Sequence, residues 1–157
     1  MNNANSPSQL KAEPSSVFFH VEQDKNGNPP ITREEVWCIH KDGDRYIVDN
    51  IPFYARDISM GDEINTEIRN GERWFQAVTA PSKNTTVRVY ARNPMTASTL
   101  LPLIHSFGGL TEKMEDSPLI AINFPPSADI AAAMEYLDRE SEAGNLAFEE
   151  SSVRYRT

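Results

Sequence analysis

Between residues 86 and 92 apolar and polar side chains alternate without a break. Val87, Val89 and Ala91 fall on one side, and Arg88, Tyr90 and Arg92 on the other. A period of two predicts a strand with one buried face. Asn93-Pro94 ends it. Thr96 is placed to cap a helix whose apolar positions are Leu100, Leu101, Ile104 and Phe107. Pro102 falls inside that pattern and predicts a short or kinked helix. Gly108-Gly109 stops the helix, a strand follows over 110–115, and Asp116-Ser117-Pro118 turns into another over 119–124. After Pro125-Pro126, Ser127 caps a second helix with Ile130, Met134 and Leu137 at i, i+4 and i+7, ended by Gly144. The last strand covers 146–155. The order strand, helix, strand, strand, helix, strand predicts a ferredoxin-like βαββαβ unit, with both helices on one face of an antiparallel sheet.

The first half alternates over shorter spans. Strands are predicted over 17–21, 36–40 and 45–48, and over 50–54, where Pro52 confines the piece to an edge or a bend. Ile64, Thr66 and Ile68 alternate with polar neighbours, and Asn70-Gly71 supplies both positive-φ positions of a type I′ hairpin turn into a strand over 73–80. Residues 32–35 suit one helical turn. Five or six short strands predict a small barrel or bent sheet. The class is therefore α+β: a flexible tail over 1–15, a β-rich subdomain over 16–84 and the ferredoxin-like subdomain over 85–157, or one integrated domain containing both.

Composition changes little about this fold and more about partners. The chain has 157 residues, 39% hydrophobic and 24% charged, with a net charge of −8. Residues 1–84 carry 9 basic and 13 acidic side chains and residues 85–157 carry 6 and 10, so each half is −4. No basic half is present to track a phosphate backbone, and nucleic acid is not an expected partner. A cationic protein surface is. The single cysteine, Cys38, excludes an internal disulfide and fits a reducing, cytoplasmic setting. No apolar run reaches membrane-spanning length, so no membrane partner is expected.

The candidate chemistry is sparse. Cys38-x-His40 places two ligand types on one face of a strand and His20 offers a third, yet zinc sites usually bring more ligands in recognisable pairs, and no metal or cofactor is expected. Asp42-Gly43-Asp44 resembles the start of a calcium loop, but Phe53 occupies the position of its bidentate acid. Glu34-Glu35 and Glu149-Glu150 are adjacent acids and read as solvated charge. The candidate binding residues lie in two places. One is the loop holding Arg56, Asp57 and Asp62, where turn chemistry alone also explains Gly61 and Asp62. The other is the junction holding Ser82, Asn84 and Arg88, continued by Tyr90 and Arg92 on the open sheet face. If the first half leaves that face bare, Arg88, Tyr90 and Arg92 are the contact surface.

Ile51-Pro52-Phe53-Tyr54-Ala55, running on through Ile58-Ser59 to Gly61-Asp62-Glu63-Ile64, forms an I-P-F-x-A-x-x-I-S-x-G-D-x-I run. Ser82-Lys83-Asn84-Thr85-Thr86-Val87-Arg88-Val89 forms an S-x-N-x-T-x-R-V run. With Val36-Trp37, these motifs resemble a bacterial family known only as a domain of unknown function. The likeness covers roughly residues 17–150 and implies no activity. The expected function is a non-enzymatic protein-binding module, in its most specific form an immunity (antitoxin-like) protein neutralising a basic toxin domain. The alternatives are RNA binding through the sheet face, and a small-molecule sensor with its ligand between the two halves.

Overall fold

A computed structural model describes residues 13–155. Of the tail predicted over residues 1–15, residues 1–12 lie outside that range, and Pro14 and Ser15 instead begin the first strand, paired across from Ile39 and Cys38. Five strands, β1 (Pro14–His20), β2 (Arg33–Asp42), β3 (Arg45–Val48), β4 (Glu63–Arg69) and β5 (Glu72–Ala80), form a closed barrel. Successive strands are antiparallel. An odd-numbered meander brings its first and last strands together parallel, and β1 meets β5 in that sense at Phe18 and Trp74. Val17, Phe19, Val36, Cys38, Tyr46, Val48 and Ile64 fill the interior. Asn70 and Gly71 both have positive φ, as the hairpin between β4 and β5 requires.

The second half follows as β6 (Thr85–Ala91), α1 (Pro94–Ser106), β7 (Leu110–Lys113), β8 (Leu119–Phe124), α2 (Ile130–Glu142) and β9 (Leu146–Ser152). Its sheet has the order β7-β8-β6-β9, antiparallel throughout. Leu100 and Ile104 of α1 share one core with Ala133 and Leu137 of α2, and that core includes Val87, Val89, Ile120 and Ile122. Both helices therefore cover the same face of the sheet.

Several local expectations are corrected. Residues 33–35 belong to β2, because pairing with β1 outweighs the weak helical preference of a four-residue stretch. The segment over 50–54 is not a strand but part of a long connection between β3 and β4. Asn93, not Thr96, caps α1: its side chain accepts from the N–H and hydroxyl of Thr96, and Pro94 takes the first helical position. Asp129, not Ser127, caps α2. Pro102 neither shortens nor stops α1, which runs on to Ser106. Leu100 and Ile104, on either side of it, are fully buried and hold the helix against the sheet.

Candidate functional site

The side of the sheet away from the helices is built in rows across the strands. Leu110, Asn123 and Thr86 make one row, Glu112, Ala121, Arg88 and Glu149 the next, and Leu119, Tyr90 and Ala147 the last. The connection between β3 and β4, residues 49–62, lies over the first two. Thr86 Oγ1 donates to Ile58 C=O and sits 2.7 Å from Ser59 Oγ. Arg88 donates to Phe53 C=O. Glu112 accepts the Ile51 N–H at 2.7 Å, and Ser151 Oγ donates to Ala55 C=O at 3.3 Å. The third row lies beyond this cover, and Tyr90 is 50% exposed there.

Two buried carboxylates hold the connection in place. Glu34 projects from β2 in the same phase as Val36 and Cys38 and is 8% exposed. It accepts the N–H groups of Phe53, Tyr54 and Ala55 at 2.6, 2.9 and 2.9 Å. Asp62 is fully buried and accepts the N–H groups of Ser59 and Ser82 at 2.9 and 2.8 Å. Arg154 reaches both Asp62 oxygens at 2.9 and 3.0 Å, which ties the end of the described chain to the barrel. Ser82 Oγ and Asn84 Nδ2 both donate to Met60 C=O. Gly61 sits against them at φ +87°, where an added Cβ would lie 3.2 Å from both Asn84 and Ser82. Gly61→Ala is accordingly expected to lower stability by about 1–3 kcal/mol, read as a shifted urea midpoint. An unchanged midpoint would show that this latch yields freely.

Where the cover ends, a cleft of about 910 Å³ opens between the two halves. His20 at the end of β1, with Glu22, Gln23 and Asp24 of the loop after it, forms one wall. Tyr54, Arg56 and Asp57 form another, and Arg88, Tyr90, Leu119, Ala147, Phe148 and Glu149 form the sheet side. Glu149 binds both Arg56 and Arg88, the latter at 3.3 Å. The four acids in the lining outnumber the two arginines, so the lining carries −2.

Of the sequence-predicted site residues, Arg56, Asp57, Arg88 and Tyr90 meet in the cleft. Arg88 does so as a buried strut, 7% exposed, rather than as part of a bare surface. Asp62, Ser82 and Asn84 lie in the latch and do not line the cleft. Arg92 lies past the end of β6, is exposed and does not line it either. Glu34 and Glu149, expected as solvated charge, are a buried clamp and the partner of two arginines. Sequence reasoning also left out Glu22, Asp24, Tyr54 and Arg154. Glu34 had a signal: an acid standing in the apolar phase of an alternating strand.

His20, Cys38 and His40 do not converge. Cys38 pairs across from Ser15 while His20 pairs across from Arg33, and His40 lies 2.9 Å from Gly43 C=O. Among the described residues no three His, Cys, Asp or Glu side chains are placed to hold a metal. Burial, reinforced by the nearby Asp49 charge, pushes the Cys38 thiol up to about 12. Cys38 is therefore expected to resist iodoacetamide at neutral pH until urea unfolds the barrel, as mass spectrometry would read. Rapid labelling of the native protein would contradict this. Among the described residues no helix is long and apolar enough to cross a membrane.

The fold as a whole has a solved counterpart. A hypothetical protein from Neisseria gonorrhoeae, 22% identical, superposes with a TM-score of 0.75 over 92% of this chain and 96% of that one. At that identity the likeness speaks to fold alone. No curated protein matches the sequence. The family described as "Domain of unknown function (DUF4265)" matches residues 34–148, a span that holds the Glu34 clamp, the connection over the sheet, and Arg88 and Tyr90 of the cleft. The chain belongs to the DUF4265 family.

Proposed function

We propose that this protein is a non-enzymatic binding module that takes part of a partner protein into the cleft between barrel and sheet. The observation carrying this reading is the uncovered row at Leu119, Tyr90 and Ala147. Main-chain and side-chain hydrogen bonds of the connection seal the middle of that sheet face, and Leu110 is exposed at the β7 edge, so this row is the uncovered part of the face that lines the cleft. An exposed tyrosine beside charged groups is the kind of anchor that protein interfaces favour. The −2 lining and the −8 chain favour a cationic partner surface. In its most specific form the module is an immunity protein for a basic toxin domain in a reducing compartment. The order β7-β8-β6-β9 with helical crossovers supports a ferredoxin-like arrangement for the second half.

A photo-cross-linking amino acid in place of Tyr90, in the native host, tests the reading. A defined partner is expected to cross-link, to bind the purified chain in fixed stoichiometry, and to bind at least about tenfold more weakly to a Tyr90→Ala, Asp57→Lys variant. The reading fails if no partner forms a stoichiometric complex, or if that variant binds as well as the wild type. For the immunity form, co-expression is expected to rescue cells from the partner's toxicity.

A second reading, a small-molecule sensor using the same cleft, draws on its volume, which lies within the range of ligand sites. Thermal stabilisation by a metabolite, without a protein partner, would favour it. RNA binding through the sheet face has less support, because residues 49–62 cover the area that bases would stack on.

A further inference from the structure

We infer that the outer edge of β9 is a strand-addition site, where an extended basic segment of a partner protein pairs at the mouth of the cleft. The inference rests on reading the cleft as a partner-binding site. Two hydrogen bonds set the direction of the β9 main chain. Arg92 N–H donates to Asn145 C=O at 3.2 Å, and Ala91 N–H donates to Pro118 C=O at 3.0 Å. Along an antiparallel strand successive residues turn their main-chain groups to opposite sides. Arg88 and Tyr90 therefore turn theirs towards β9, where they pair with Glu149 and Ala147. Phe148, between those two, turns its N–H and C=O outward, away from β6.

Side-chain direction gives the same answer independently. Phe148 stands opposite Val89 and packs on the helix-side core, so its ring lies on the far side of the sheet from the cleft. Phe148 nonetheless lines the cleft. What it presents there is its main chain at the sheet edge. The protein already uses the far end of this edge in the same way: Asp57 N–H donates to Ser151 C=O at 3.0 Å. Among the described residues β9 pairs with no strand except β6.

Charge decides between occupants. A second copy of the chain would bring −8 against −8, and the cleft-lining acids Glu22, Asp24 and Asp57 repel another acidic strand. A basic segment meets Arg56 and the buried Arg88, both already bound to Glu149, and the lining as a whole still favours it at −2. Strand addition draws affinity from main-chain bonds and specificity from alternate side chains. Every second side chain of the added strand would enter the cleft, where the Tyr90 ring can take a lysine or arginine against its face.

The test uses the full chain and a short synthetic peptide of alternating Lys and Val, with a Glu–Val peptide as the charge control. The Lys peptide is expected to bind and to slow exchange of the Phe148 amide by about tenfold, leaving the amides of Ala147 and Glu149, already turned to β6, unchanged. Phe148→Ala keeps the N–H and is expected to bind within about twofold of wild type, whereas Phe148→Pro removes it at an edge that tolerates proline and is expected to bind about tenfold more weakly. If the proline variant does not fold by circular dichroism, the exchange measurement on wild type decides. Binding without protection at Phe148 overturns the added strand while leaving the cleft reading standing. Equal binding of the Glu peptide overturns the basic occupant. No binding, or self-association of the chain along this edge, overturns the inference as a whole, and the cross-link at Tyr90 then decides the cleft reading separately.

Discussion

Glu34→Ala is expected to lower stability by about 3–5 kcal/mol, among the larger effects of any single substitution in this chain. Each charge-assisted hydrogen bond is worth about 1.5–3 kcal/mol, and stranding a buried donor adds its desolvation cost. Glu34 gathers three such donors, from Phe53, Tyr54 and Ala55, on one side chain that is itself buried. The loss is local before it is global. The connection over residues 49–62 would detach at its middle, and the seats of Arg56 and Asp57 in the cleft would go with it. Urea unfolding measures the total, and amide exchange at residues 53–55 reports the local opening. Glu34→Gln keeps one strong acceptor and is expected to lose only about 1–2 kcal/mol. Should the alanine variant unfold at the wild-type midpoint, the clamp would be ornamental and the cover over the sheet held by something else.

Arg154→Met is expected to cost about 3–5 kcal/mol, for a different reason. Asp62 has no exposure at all, and Arg154 supplies the only cation paired with it among the described residues. Removing one partner of a buried pair leaves the other charge uncompensated, which costs more than the pair itself contributes. The two remaining donors, the N–H groups of Ser59 and Ser82, soften the loss without neutralising the charge. Adding Asp62→Asn to Arg154→Met is therefore expected to recover part of the loss. A double-mutant cycle by urea unfolding isolates this coupling, expected at about 1–3 kcal/mol. Additive effects would mean that the two side chains do not depend on each other. Arg154 follows the last strand and Asp62 precedes β4, so the same variant also asks whether barrel and sheet unfold together. We expect a single transition in the wild type, because the hydrogen bonds of Glu112, Thr86, Arg88, Ser151 and Arg154 all cross between the halves.

The two predictions concern residues that the sequence treats unequally. Glu34 is visible in hindsight, as an acid in the buried phase of β2. Its partners are not, because they are main-chain groups 19 to 21 residues away, in a stretch whose Pro52 and lack of alternation mark it only as irregular. Arg154 carries no local signal. A charged residue near a terminus reads as solvent-exposed until something places a buried carboxylate in front of it. Glu149 shows the same limit, since adjacency to Glu150 says nothing about the arginines that stand across and above it.

What the sequence determined by itself was everything governed by neighbours a few positions apart. Alternation at Val87, Val89 and Ala91, the Asn70-Gly71 turn, the order of strands and helices in the second half and the β-rich first half are all local, and sterics and burial leave each of them few alternatives. The cap positions were missed by three and two residues because Asn93 and Asp129 compete with Thr96 and Ser127 for one role. Only the tertiary structure decided how much of the open sheet face is available. That depended on fourteen residues of irregular chain finding Glu34, Arg154 and the side chains of β6, β7 and β9, contacts that no periodicity encodes. The surface expected from Arg88, Tyr90 and Arg92 was thereby narrowed to Tyr90 and its row, with Arg88 turned into a support beneath it.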